Sequence, residues 1–394
     1  MPNFEVPEAV KALGVPIFEP SEIFTLSDRK NFIEQAKEQV DRDHLFTEQQ
    51  YHPLQQSHPA YIFEGSEPMS DGIVQAALLT RSVVRNGLPD SILHNSAAKL
   101  EIDEEMVKDS ILHGERYNPT LEKLPARFDP IMFWVRHIRL HGTPVIKRNN
   151  IILNNLLRHV ILSGIRTQAL KKNLQVNRDS PLSVYISGGK YFSKSPLVLR
   201  GQPHLTVQSP DSSVTMPWAG PMDIKAACSE SLPDIYPISP IIDFEMDTIY
   251  NDDLLLTRNL QQTHVHSILW SREQDQKYPW TSEQNMANAI LTTYAAAVAE
   301  ATRNGETELK KPVLVRGVQL VNGRLDLVAM QLNTLKPTEN GENSEKNIVW
   351  IEKGIRLYKP KPYYEQMDVV EKLDMSVFHK FVALMLGFGT PHAH

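Results

Sequence analysis

The dipeptide Asn322-Gly323 lies between two nine-residue runs of mostly aliphatic residues, 313–321 and 324–332, and this pattern constrains the fold more than any other. Asn and Gly tolerate positive φ, as a type I′ turn requires, and such a turn joins two antiparallel strands. The sequence therefore predicts a β-hairpin here. A third strand is expected at 348–351, after the polar loop 336–346.

Several segments carry the apolar period of an amphipathic helix. The clearest begins at Thr281, because Thr281 and Gln284 form the pattern of a capping box and Met286, Ile290 and Tyr294 then share one face. Helices are predicted over residues 27–40, 70–86, 148–173 and 281–304, and after Asp374, which is placed to cap the last of them.

Short apolar runs at 182–186 and 197–199 are punctuated by Gly and Pro, a pattern typical of strands and turns. The predicted fold class is α+β, with helices beside a small antiparallel or mixed sheet and an extended N-terminal arm. We expect residues 1–56 to form this proline-rich arm. Residues 57–394 are expected to form an α/β body.

Composition excludes several classes of protein. In this 394-residue chain apolar residues make up 41% and charged residues 22%, a globular balance that excludes wholesale disorder and coiled coil. No apolar run approaches the ~18 residues of a membrane-spanning helix, so we expect no membrane span. A single cysteine, Cys228, excludes an internal disulfide and a Cys-based zinc site and favours a reducing compartment.

Charge is distributed unevenly along the chain. The net charge is −6, but residues 131–200 carry twelve Lys and Arg against one acid, Asp179, so this segment is +11 and the remainder is −17. Clustered cations with few competing carboxylates are typical of surfaces that neutralise phosphates. The predicted RNA-binding residues are Arg136, Arg139, Lys147, Arg148, Arg158, Arg166, Lys171, Lys172, Arg178, Lys190, Lys194 and Arg200.

The predicted helix 148–173 presents these cations in a defined way. On a helical wheel Leu153, Leu156 and Val160 fall on one side, whereas Arg158, Arg166 and Lys172 fall on the other. An acidic protein partner, or a plain solvated surface, is the alternative interpretation. Aromatic residues interleave with the cations and allow base stacking, although core packing is the more ordinary use of each ring: Trp134, Tyr185, Tyr191 and Phe192.

A carboxylate cluster supplies a rival function. If residues 238–242 form a strand, Asp243, Glu245 and Asp247 project on one face, as a metal-dependent nuclease or phosphodiester enzyme requires. Turn capping at a strand end is the simpler interpretation, and Asp252-Asp253 nearby suits it. No triad, dinucleotide fingerprint or kinase motif occurs, so we predict a protein that is not an enzyme and needs no cofactor.

Several motifs, in the same order along the chain, resemble the family of mitochondrial large-subunit ribosomal proteins numbered thirty-seven. Together they extend from residue 57 to the end. They are His58-Pro59-Ala60-Tyr61-Ile62-Phe63, Gln75-Ala76, Leu79-Thr80, Gly87-Leu88-Pro89, Tyr236-Pro237-Ile238-Ser239-Pro240-Ile241-Ile242-Asp243, Ile249-Tyr250, Gln331-Leu332-Asn333-Thr334, Lys346-Asn347-Ile348-Val349-Trp350 and Phe378-His379-Lys380-Phe381-Val382-Ala383-Leu384.

The resemblance implies a structural component of the mitochondrial large ribosomal subunit in the mitochondrial matrix. It implies contact with large-subunit ribosomal RNA and with other large-subunit proteins. It also implies a heterodimer with a homologous mitochondrial ribosomal protein, first named small-subunit protein thirty. The first fifty residues and the loop 336–346 do not follow the family pattern, and Glu5 and Glu8 stand where an import presequence would be rich in Arg.

Overall fold

The structure is a computed structural model in which the chain divides into two compact units, Met1–Ser57 and His58–His394. In the first unit it describes the helix α1 (Glu8–Lys11) and Ala12; the predicted helix at 27–40 lies outside the described residues. The predicted boundary between arm and body stays a prediction. The described residues are 8–12, 60–96, 102–116, 118–166, 174–186, 197–209, 217–233, 245–247, 263–275, 277–302, 309–335 and 345–386.

The second unit mixes helices with three sheets, which confirms the predicted α+β class. Its helices are α2 (Gly72–Leu79), α3 (Asp90–Ser96), α4 (Glu104–Glu115), α5 (Val145–Arg166), α6 (Pro221–Ser229), α7 (Ser282–Thr302) and α8 (Met375–Leu386). Its strands are β1 (Ala60–Phe63), β2 (Ser82–Asn86), β3 (Glu122–Lys123), β4 (His141–Gly142), β5 (Gln175–Arg178), β6 (Leu182–Ile186), β7 (Leu197–Gly201), β8 (Leu205–Ser209), β9 (Glu245–Asp247), β10 (His264–Arg272), β11 (Val313–Val321), β12 (Arg324–Leu332) and β13 (Asn347–Arg356).

The largest sheet has seven strands in the order β2-β13-β12-β11-β10-β8-β5. The predicted hairpin is confirmed: β11 and β12 pair in register around Asn322 and Gly323, whose φ values of 49° and 70° suit a type I′ turn. A Cβ atom on Gly323 would lie 2.4 Å from the Tyr358 carbonyl oxygen, so this turn position requires glycine. Because β13 and β10 flank the hairpin, neither of its strands is an edge of the sheet.

Helix α7 lies between the seven-stranded sheet and a four-stranded sheet of order β6-β7-β1-β9. It begins as predicted, since Thr281 Oγ1 accepts from the Gln284 N–H at 3.2 Å and Gln284 Oε1 accepts from the Thr281 N–H at 2.9 Å. Sheets on two sides explain why its alanines are buried along with Met286 and Ile290. On the opposite face of the large sheet α3, α4, α5 and α8 pack around a second apolar core.

A polar network occupies the contact between α7 and the large sheet. Gln319 Oε1 accepts from Trp270 Nε1 at 3.0 Å and from Asn288 Nδ2 at 2.6 Å. Its Nε2 donates to the Asn285 carbonyl at 3.0 Å and to Asp326 Oδ2 at 3.1 Å. Each amide hydrogen-bonding atom of this fully buried Gln319 therefore has a partner, which removes the cost of burying it.

The predicted helix at 70–86 is wrong in its second half. Helix α2 ends at Leu79, and Arg81 turns the chain at a φ of 48° into the strand β2. β-branched Val83 and Val84 suit a strand, and β2 pairs in parallel with β13, so a distant partner outweighs the local helical period. In the described residues no helix combines the length and apolarity that crossing a bilayer demands.

A candidate nucleic-acid interface

The basic segment 131–200 is organised around α5. The predicted apolar side of this helix is confirmed, since Leu153, Leu156 and Val160 are at most 1% exposed and pack in the core shared with α4 and the large sheet. Arg158 and Arg166 lie on the opposite side of the helix, as the helical wheel predicts, and both side chains are exposed to solvent. Helix α5 is therefore a rigid support that presents cations on its outer side.

Two further cations lie close to this outer side. Lys147, exposed in the first turn of α5, forms an ion pair with Glu122. Arg178 is exposed on β5, and its Nη2 donates to Asn154 Oδ1 on α5 at 3.4 Å. Strand β5 thus brings a cation from a separate element against the same helix.

Burial, and then the charge of the neighbouring Arg158, lower the pKa of His159 below its ordinary value of 6.5. The sequence from 131 to 178 contains no Asp or Glu, and of the cations on this surface Lys147 is paired with Glu122 from outside that stretch. A surface of this kind attracts polyanions through electrostatics that do not depend on their sequence.

Arg148 is an exception among the predicted RNA-binding residues, because it is only 1% exposed. Its Nε donates to the Thr143 carbonyl at 2.9 Å, its Nη2 to the Tyr363 carbonyl, and its Nη1 lies 3.5 Å from Glu115 Oε2. Burial raises the pKa of Glu115, whose Oε1 accepts from Tyr358 Oη at 2.6 Å. Arg148 therefore ties α5 to α4 and to the 358–363 region, and its guanidinium is not on the surface.

The other predicted residues are spread over the segment. Arg136 and Arg139 are exposed, and Arg139 Nε donates to the Leu124 carbonyl at 2.8 Å. Arg200 is partly buried, with its Nη1 3.8 Å from Glu64 Oε1. Lys171, Lys172, Lys190 and Lys194 lie outside the described residues. Among the described residues, the structure therefore brings Arg178 together with the α5 surface, whereas Arg148 is buried and Arg200 lies near Glu64.

Residues 131–140, which we call the apolar segment, form a feature that sequence reasoning missed. Seven large apolar residues in it are exposed: Ile131 81%, Met132 45%, Phe133 71%, Trp134 67%, Val135 38%, Ile138 88% and Leu140 45%. Core packing is wrong for Trp134, and Tyr191 and Phe192 lie outside the described residues, as does the Tyr185 side chain. The run 131–135 has the composition of a buried strand, so its exposure could not be predicted from the sequence.

The carboxylates of the rival hypothesis are only partly described. Glu245 and Asp247 lie on β9, which pairs with β1, whereas Asp243, Asp252 and Asp253 are outside the described residues. Within the described part of the chain, no three His, Cys, Asp or Glu side chains come together as a metal would require. No observation here favours a nuclease.

Comparisons with known proteins bear on the family. No model of a protein family matches the chain. The chain is 26% identical over 355 residues to a Rattus norvegicus protein named "Large ribosomal subunit protein mL37", a match that covers 85% of this chain and 76% of that protein. Proteins of the same name from Gallus gallus and Bos taurus are also 26% identical, covering 85% and 86% of this chain and 75% and 77% of their own lengths. The resemblance inferred from the motifs is confirmed.

Proposed function

We propose that this chain, a homologue of large ribosomal subunit protein mL37, is a non-enzymatic structural constituent of the large subunit of the mitochondrial ribosome, in the mitochondrial matrix. The observation that carries the proposal is the similarity to mL37 proteins over about 85% of the chain and three quarters of theirs. Because so much of both chains is covered, the support comes from the whole body rather than from one motif. This role, in support of mitochondrial translation, requires no catalytic residue and no cofactor.

We infer that the chain contacts large-subunit ribosomal RNA through the outer side of α5. Exposed cations on α5 and β5, in a stretch without carboxylates, support this inference. Such cations neutralise phosphates and release counterions, which positions a protein on RNA without reading its sequence. The contacts proposed from described residues are Lys147, Arg158, Arg166 and Arg178.

We also propose a homologous mitochondrial ribosomal protein as a dimer partner, burying more than ~1,000 Å² in total. A sheet of only the hairpin and the strand at 348–351, as predicted from sequence, would leave an edge for this partner to cover, but β2 and β10 extend those three strands on both sides. The strands at the two ends of the large sheet are β2 and β5. Edge strands are surfaces on which another chain can add a strand, and β5 carries Arg178 of the proposed RNA contact, so cross-links between co-expressed partners should involve β2.

Sedimentation tests the assignment to the ribosome. A tagged full-length chain from lysed mitochondria should travel with the large subunit and its RNA, together with other large-subunit proteins. A light peak without ribosomal RNA would refute the assignment.

Charge reversal tests the RNA surface. Arg158→Glu with Arg166→Glu should weaken RNA association, and the loss should be largest at low salt and shrink as salt rises, since the variant lacks contacts that each contribute roughly 0.7–0.9 to the slope of log K against log salt. The matched control is Lys225→Glu with Lys311→Glu, two exposed lysines outside the basic segment. Equal incorporation of both double variants into large subunits would exclude this face as the RNA contact.

A further inference from the structure

The apolar segment exposes more hydrophobic surface than a monomer usually tolerates. If a fully exposed large apolar residue presents on the order of 180 Å², the exposures of its seven residues amount to about 800 Å². The largest apolar patch of a typical monomer is about 300–600 Å². About 800 Å² is also the area that one partner contributes to a standard protein interface.

The apolar segment is held in place by hydrogen bonds, although it contains no regular helix or strand before β4. At its base β3 pairs with β4, and the Leu124 N–H donates to the Leu140 carbonyl at 2.8 Å. At its start Asp129 Oδ1 accepts from the N–H groups of Ile131 at 2.9 Å and Met132 at 3.0 Å. A pinned long loop of this kind is typical of binding loops, because ordering it before association lowers the entropic cost of binding.

The chemistry of the exposed side chains favours a protein, rather than RNA, as the binding partner of the apolar segment. Five of the seven are aliphatic or Met, which offer no ring on which a base can stack. The two rings, Phe133 and Trp134, contact each other edge to face, with centroids 5.0 Å apart and planes at 82°. Two perpendicular rings do not form a platform for successive bases, whereas Trp, Phe and Met are enriched in the cores of protein interfaces.

The charges around the apolar side chains specify the partner further. Arg136 and Arg139 are exposed within the segment, and no Asp or Glu follows until Asp179. Interfaces place opposite charges against each other at their polar rim. A matching surface therefore carries carboxylates around an apolar depression.

We propose that the apolar segment is a docking site for a partner protein that offers an apolar groove with Asp or Glu side chains at its rim. Ile131, Trp134 and Ile138 enter the groove, and Arg136 pairs with the rim. This places a protein contact inside the segment that was predicted from sequence to face RNA. The docking site is independent of whether α5 contacts ribosomal RNA.

Site-specific photo-crosslinking in intact cells tests this proposal. The photoreactive residue p-benzoylphenylalanine replaces Trp134 in one full-length variant and Ile138 in another. The control places it at Tyr278, an aromatic residue with a similar exposure of 69% that lies outside the segment. Crosslinked peptides are then identified by mass spectrometry, and sedimentation is measured separately.

The expected result is that Trp134 and Ile138 positions crosslink to the same protein, at a peptide containing Asp or Glu, and that Tyr278 does not. Arg136→Glu should lower the yield roughly fivefold, while Arg136→Lys should retain it. Crosslinks to RNA, to this chain itself or to a second copy would overturn the proposal, as would no crosslink, an equal yield from Tyr278 or a yield insensitive to Arg136→Glu. A chain that crosslinks as expected but sediments without large subunits would refute the ribosomal assignment alone.

Discussion

At the centre of the seven-stranded sheet the buried side chains include a polar network, whereas the apolar segment exposes hydrophobic side chains to solvent. Gln319 and Asp326 are at most 2% exposed, but Ile131 and Ile138 are 81% and 88% exposed. Both regions reverse the usual distribution of polar and apolar residues.

The two regions differ in whether the described part of the chain supplies interaction partners for their side chains. The amide of Gln319 bonds with groups from β10, α7 and β12, so its burial adds specificity to the way α7 meets the sheet. In the apolar segment Ile131 and Ile138 are left in solvent by the described part of the chain. The first region therefore stabilises the fold, whereas the second is the surface that we propose for a partner protein.

The largest effect is expected where a buried ion pair is broken. Arg148→Met should lower the free energy of unfolding by about 3–5 kcal/mol, because it leaves the Glu115 carboxylate buried without its cation. Urea unfolding of the full-length chain measures this, and adding Glu115→Gln should recover part of the loss. Arg158→Met, at an exposed position of the same helix, is the control. A loss below about 1 kcal/mol would show that Arg148 does not compensate Glu115.

The pH dependence of stability should reveal the buried Asp326. Burial raises the pKa of Asp326 to about 6 from 3.8, so near pH 5 the folded state keeps a proton that the unfolded state has lost. Stability from this group is therefore lost as pH rises from about 4 to about 6, by about 3 kcal/mol in all. Asp326→Asn should remove this dependence in urea titrations at several pH values.

Asp374 provides a control of opposite sign for this titration. Hydrogen bonds from Ser376 lower the pKa of Asp374 at the start of α8, so its contribution is present above the unfolded pKa and is lost as pH falls. Asp374→Asn should leave the loss of stability between pH 4 and 6 intact. An unchanged pH profile in Asp326→Asn would contradict the role given to Asp326.

A single added methyl group should distinguish a tightly packed position from a partly buried one with space beside it. A Cβ atom on Gly317 would lie 1.9 Å from Thr293 Oγ1 on α7, so Gly317→Ala should destabilise the chain by about 1–3 kcal/mol. Gly201→Ala is the control, because its nearest neighbour would lie 3.9 Å away. Thermal unfolding compares the two. Thr293→Ala should relieve the clash, and its failure to do so would place the strain elsewhere.

The smallest effect on stability is expected in the apolar segment. Ile131→Ser with Ile138→Ser should change the free energy of unfolding by no more than about 0.5 kcal/mol, because both side chains are already solvated. Ile152→Ser, at a fully buried position of α5, should cost several times more. Comparable losses for the two variants, measured by urea unfolding, would show that the segment packs against the body.

Local patterns predicted the elements whose signals are local. The turn at Asn322-Gly323, the capping box at Thr281 and the apolar side of α8 depend on residues within a few positions of one another. The α5 stripe was predictable for the same reason. The similarity to mL37 proteins depends on motifs in a fixed order along the chain, so it could also be inferred from the sequence.

The features that could not be predicted from the sequence depend on contacts between residues far apart along the chain. Arg148 is buried because Glu115, 33 positions earlier, and Tyr363, 215 positions later, reach its guanidinium. Sequence patterns likewise cannot show that the run 131–135 stays on the surface, since a buried strand has the same composition. Of the candidate site, the outer side of α5 was therefore predictable, whereas the inward Arg148 and the apolar segment were not.

The parallel pairing of β2 with β13 sets the order in which this fold can form during synthesis. The Asn347 side chain donates to the Thr80 carbonyl across 267 positions, and β2 is an end strand of its sheet. At 5–20 residues per second, β2 waits on the order of 15–50 s for its neighbour to be made. Throughout that interval Val83 and Val84 lack their partner strand, so a nascent chain that stops before residue 347 cannot complete its sheet and should depend on chaperones.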